Sequence, residues 1–335
     1  MRPTTPLLLI TVLQGLSGGI TLAIAAFSFL LPPASDSILR NALLLSFAIA
    51  VIGGISSFFH MHRPQAGKYI LRRLKTSWLS REALTTGIYA MILGVVALGP
   101  LVLPVNSWWY WVGGVLASIA ALAAMFVTAM LYATIPAMRS WHSPLTVLSM
   151  MAVGLSSGGY AMLALLGESH LAAAVHRLAI FMLLATIVVA GVKLLQWKLF
   201  RDARRSLNAA TGTGMPRAPY RIIDTGTTRP PYHTQTQVWP DLPVSLRGGL
   251  EAVVVLTMVL LPLGVIVATL DGTGAGLLTV LGAISFLFGT FVERWLFFGD
   301  ATHSSKVWFV DQEKVGSRVA TNRPSPALVH RFRNM

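Results

Sequence analysis

The sequence contains no cysteine, which excludes disulfides, thiolate metal sites and Cys-ligated iron–sulfur clusters within this chain. Charge is scarce too: 11% of its 335 residues are Asp, Glu, Lys or Arg, against about 25% in a soluble globular chain. A single soluble domain is thereby excluded. Acids are scarcest, 12 against 26 bases, for a net charge of +14. In a membrane protein that imbalance is read as topology before nucleic acid, and no nucleic-acid partner is expected. Histidines are almost missing from the apolar runs. Only His60 and His176 touch them, at opposite ends, so paired axial ligands at one depth are lacking and bound haem is not expected.

What the sequence has is apolar length: 54% of residues are hydrophobic. Eight runs reach the roughly 20 residues a bilayer crossing needs: 6–31, 41–60, 82–104, 111–133, 145–167, 176–197, 249–270 and 274–299. Only helices or closed barrels satisfy their backbone in lipid, and these runs lack barrel alternation. The expected fold class is an all-α integral membrane protein of eight transmembrane helices. The first run is too long for a signal-peptide core and has no clear small-residue cleavage site, so it is expected to be retained. The expected organisation is a membrane domain over 1–305, interrupted by a polar loop 198–248, followed by a basic tail 306–335. Glycine clusters such as Gly15, Gly18 and Gly19, or Gly154, Gly158 and Gly159, suit close helix approach.

Charge assigns the faces. With eight spans, both termini and the loops 61–81, 134–144 and 198–248 share one face, which collects 24 bases and nine acids, or +15. The other face has Arg40, Arg177 and three acids, or −1. The short loop with Arg63, Lys68, Arg72, Arg73, Lys75 and Arg81 decides the orientation, because long loops count less. Both termini are expected to be cytoplasmic.

Titratable groups at the spans are the candidate chemistry. His60 closes the second run and Glu82 opens the third, on the same face, so they can converge in a shallow pocket. A quinone site needs an apolar slot, a donor to the quinone oxygen and a group that exchanges protons with water. The plainer alternative is that His60 caps a helix and Glu82 is an N-terminal acid favoured by the helix dipole. A second cluster on that face comprises Arg139, Trp141, His142, Glu293 and Arg294. Glu293 and Arg294 are adjacent and so are expected to point apart rather than pair. Trp141 is expected in an interfacial aromatic belt. The span interiors read as nearly free of ionisable groups, which argues against a small-molecule transporter, the reading of another class.

The segments Pro6–Gly19, Phe58–Pro64, Thr76–Glu82, Ala129–Leu145 and Glu293–Phe298 resemble DmsC-type membrane anchor subunits of dimethyl sulfoxide reductase-like molybdoenzymes. Within that family, Thr76–Glu82 and Glu293–Phe298 are similar to the anchors of cytoplasmic sulfite dehydrogenases (SoeC-like). The resemblance implies an anchor that binds quinone (ubiquinone or menaquinone) and no haem. Molybdopterin and iron–sulfur clusters would sit in two partner subunits, on the cytoplasmic face. It implies quinone binding and proton exchange at His60 and Glu82. Arg63, Arg81, Arg139, Trp141, His142, Glu293 and Arg294 are the candidates for support of that site or partner docking. A dimethyl sulfoxide reductase-like anchor, oxidising quinol, is the alternative. His62 stands where many relatives have Gly.

Overall fold

The computed structural model describes residues 3–28, 36–60, 64–99, 108–167, 169, 171–206, 242–273 and 276–304. They form eight helices apolar and long enough to cross a membrane: α1 Thr5–Ser28, α2 Asp36–His60, α3 Trp78–Leu98, α4 Trp108–Ala133, α5 Pro144–Gly167, α6 Ala172–Ser206, α7 Val244–Leu270 and α8 Leu277–Gly299. No strand occurs among the described residues; Met138 and His303 make one isolated bridge. The polar loop expected over 198–248 is shorter, because α6 runs on to Ser206 and α7 starts at Val244. Residues 207–241 and the tail from 305 onward lie outside the described residues.

α1 and α5 are the enclosed pair: 67% and 61% of their central windows are buried, against 28–44% in the other spans. Glycine makes their contact. A Cβ on Gly158 would fall 1.9 Å from the backbone of Gly19, and one on Gly19 would fall 2.2 Å from the Gly154 carbonyl. Lipid gives helices little hydrophobic reason to associate, so backbone approach and interhelical hydrogen bonds do much of the joining. Around α1, Ser17 and Thr21 meet Tyr89 Oη of α3 at 2.7 and 2.9 Å, and Ser46 of α2 closes the hydroxyl cluster. Tyr160 of α5 likewise meets Thr186 of α6.

α7 contains a wide turn over Leu256–Leu260, just before Pro262. Pro has no N–H, and its ring would crowd the carbonyl four residues back. The wide turn relieves this. Leu261 N–H donates to Leu256 O, five residues back, and the Thr257 carbonyl so released accepts Ser285 Oγ of α8 at 2.9 Å. At the far face Gly276, with φ +69°, starts α8 and donates its N–H to Gly167 O of α5.

At the near face Asp300, just past α8, holds Arg247 of α7 at 2.8 Å and Arg204 of α6 at 2.5 Å. Three helix ends are tied by one carboxylate. Asp300→Ala is expected to lower stability by about 2 kcal/mol, the scale of a charged hydrogen bond lost, read as a lower Tm in detergent. An unchanged Tm would make the clamp incidental.

Candidate site at the basic end of the bundle

Ser77, not Glu82, caps α3: its Oγ accepts Ser80 N–H at 3.3 Å. Glu82 therefore lies past the first turn, and the dipole-favoured terminal position does not apply. Its half-buried side chain meets α4, where Thr128 Oγ1 donates to Glu82 Oε1 at 2.8 Å. His60 is the last residue of α2; its side chain lies outside the described residues, as does Arg63. Between these helices Pro64–Arg73 forms a 3-10 segment, with Lys68 and Arg72 over the Tyr69 ring at 5.1 and 4.9 Å. Arg81 is committed to this turn. Its Nε and Nη2 donate to the carbonyls of Leu74 and Lys75, both at 2.8 Å, and its guanidinium lies over Trp78.

The second cluster divides. Arg139 is exposed and donates its backbone N–H to Thr302 O at 3.1 Å, while exposed His142 places Nδ1 2.8 Å from Ala133 O. Both lie exposed at the basic face. Trp141 corrects the aromatic-belt expectation: it is 4% exposed, stacks on Phe297 and donates Nε1–H to the Phe297 carbonyl at 3.0 Å. With Tyr132, Phe200, Phe297 and Phe298 it forms an aromatic plug at this end. His303, beyond α8 beside that plug, is partly buried, which holds its imidazole below the ordinary value.

Glu293 and Arg294 also depart from expectation. Both are 2% exposed, and Arg294 Nε approaches Glu293 Oε2 at 3.5 Å, so the neighbours are paired after all. Long side chains can curl together even where their Cα–Cβ bonds diverge. Glu293 Oε1 is bonded to Lys193 of α6, which also reaches Gln196 Oε1 at 2.8 Å and Ser149 Oγ of α5 at 2.5 Å. The span interior therefore contains a buried ionic cluster, against the expectation of a nearly charge-free interior. Lys193 was the residue that sequence reasoning passed over. A lone Lys inside an otherwise apolar run was its signal, since such a residue needs an internal partner.

Between Glu82 and this cluster lies a cavity of about 20 Å3, lined by Thr11, Gln14, Gly15, Met125, Thr128, Ser157, Thr290 and Arg294, among others. It has room for about one water and is far too small for a quinone ring. Glu82 itself is half-buried, with Thr128 holding one carboxyl oxygen. Among the described residues no group of three metal-ligating side chains occurs.

Residues 1–300 match the family model "DMSO reductase anchor subunit (DmsC)". The chain belongs to the DmsC family. One relative, a sulfite dehydrogenase subunit from Allochromatium vinosum, is 26% identical across 92% of this chain and 99% of its own length. Eight apolar helices and membership in an anchor family make the chain a multi-pass membrane protein. The DmsC assignment also answers the transporter reading. The charge-poor interior invoked against it does not hold, but the family is one of oxidoreductase anchors.

Proposed function

We propose that the chain is the quinone-binding anchor of a three-subunit molybdoenzyme, a sulfite:quinone dehydrogenase. An iron–sulfur subunit and a molybdopterin subunit would dock on its basic face, taken as cytoplasmic from the +15 against −1 charge distribution. The carrying observation is the carboxyl of half-buried Glu82, held by Thr128 at 2.8 Å just inside the basic end of α3. Such a group can hold a proton in the membrane and exchange it with water. When bound, quinone supplies an acceptor for two electrons and two protons. Glu82 would hold or release one proton, and His60, ending the adjacent helix, is the second candidate. The absence of cysteine and of paired span histidines makes the partner subunits the source of electrons. The relative's name supports sulfite as the donor. The family description favours the reverse flow, with quinol oxidised for reduction of a sulfoxide.

The test is to purify the tagged complex, identify its partners and assay sulfite-to-quinone turnover. Glu82→Gln is expected to lower quinone-linked turnover about 100-fold. Sulfite oxidation with a soluble artificial acceptor should not change. Full quinone-linked activity in both Glu82→Gln and His60→Ala would overturn the site. Sulfoxide reduction by quinol without sulfite oxidation would select the reverse flow.

A further inference from the structure

The small cavity between α1, α4, α5 and α8 holds two polar atoms of opposite sense with no partner. They are the acceptor Gln14 Oε1 and the donor Arg294 Nη1; Arg294 Nε, also without a hydrogen bond, faces Glu293 at 3.5 Å. Both residues are buried, at 6% and 2% exposure. Gln14 Nε2 donates to Thr86 Oγ1 at 3.0 Å, which leaves Oε1 as the free acceptor. Leaving either atom dry is costly, more so for the charged one. One water can donate to Gln14 Oε1 and accept from Arg294 Nη1, and the volume allows one. Thr128 lines the same cavity while donating its hydroxyl to Glu82, and its oxygen can still accept from that water.

Charge makes the connection consequential. Arg294 and Lys193 are two cations sharing one carboxylate, Glu293. Glu82 lies on the other side of Thr128 from this set, and Tyr132 lies within electrostatic reach of both Glu82 and Arg294. We propose that the cavity is hydrated and that its water couples the Glu82 carboxyl, through the Thr128 hydroxyl, to Arg294. The Lys193–Glu293–Arg294 cluster is then a positioning element for the Glu82 proton. Facing Glu82 are Thr128 and Tyr132 from α4 and, across the cavity, Gln14 from α1 and Arg294 from α8. Arg81 is turned to loop carbonyls, and Arg72, Arg73 and Lys75 of the preceding segment are exposed. The His60 side chain, at the end of α2, lies outside the described residues.

The inference rests on the quinone-site reading only for its use in turnover; the coupling is read without quinone. The full chain in lipid nanodiscs is titrated by infrared spectroscopy, following the carboxylic C=O band that Glu82→Gln removes. Arg294→Met should raise its midpoint by about one pH unit, because a cation favouring the carboxylate is lost. Arg294→Lys should restore it. In a Thr128→Val background the effect of Arg294→Met should fall by more than half. An unmoved midpoint in Arg294→Met, or an undiminished shift in the Thr128→Val background, would overturn the coupling. Should Arg294→Met fail to fold, Gln14→Leu takes its place: it removes the acceptor and fills the cavity. The same upward shift is expected, and an unmoved midpoint would again overturn the proposal. If quinone-linked activity survives in both Glu82→Gln and His60→Ala while the midpoint responds as stated, the quinone site fails and the coupling stands.

Discussion

Glu293→Gln is expected to destabilise the folded chain by about 3–5 kcal/mol, whereas Lys193→Met should cost about 1 kcal/mol or less. The asymmetry follows from the count of charges. One carboxylate serves both Lys193 and Arg294, all three at 4% side-chain exposure or less. Removing its charge strands two cations in the span interior, where an unpaired charge is costly. Removing Lys193 leaves the Glu293–Arg294 pair intact, and Met keeps most of the stem's volume. Ser149 and Gln196 then lose a charged partner but still hydrogen-bond to each other at 2.9 Å. Thermal unfolding in detergent, with the monodisperse fraction recovered after purification, reads the difference. Equal losses for the two variants would show that Glu293 is not shared in this way.

That cluster also marks where sequence reasoning reached its limit. Eight apolar runs and the charge bias gave the number of helices and the common face of the described chain ends, because lipid requires both patterns. Helix ends were less legible. Polar residues at the interface continue a helix as readily as end it, so α6 extends nine residues past Trp197, to Ser206. Glu82 was found by its sequence position, but its partner Thr128 is an ordinary Thr in an apolar helix, and only packing brings them together. Trp141 reads as interfacial by position, yet the turn after α4 folds it under Phe297. Lys193, 100 residues from Glu293, has its meaning only in the assembled bundle.

Gly158→Leu is expected to abolish the folded anchor, and Gly158→Ala to destabilise it measurably. Gly191→Ala, on α6, should be neutral or stabilising. A Cβ at Gly158 meets the Gly19 carbonyl carbon at 1.9 Å, the Ile20 nitrogen at 2.1 Å and Gly19 Cα at 2.4 Å. All three are backbone atoms, so no rotamer change relieves the clash; α1 and α5 must separate. At Gly191 nothing lies within 4 Å, and there only the helix preference for Ala over Gly remains, up to about 1 kcal/mol. Separation would reach the site as well. α1 contributes Thr11 and Gln14 to the cavity, and α5 contributes Ser157 and Gly154. Gly158→Ala should therefore enlarge the space beside Arg294 while Glu82 keeps its bond to Thr128, which involves neither helix. Its Tm should fall while the Glu82 infrared band remains. A Tm equal to that of the unaltered chain would mean that the α1–α5 backbone contact is not as close as the structure has it.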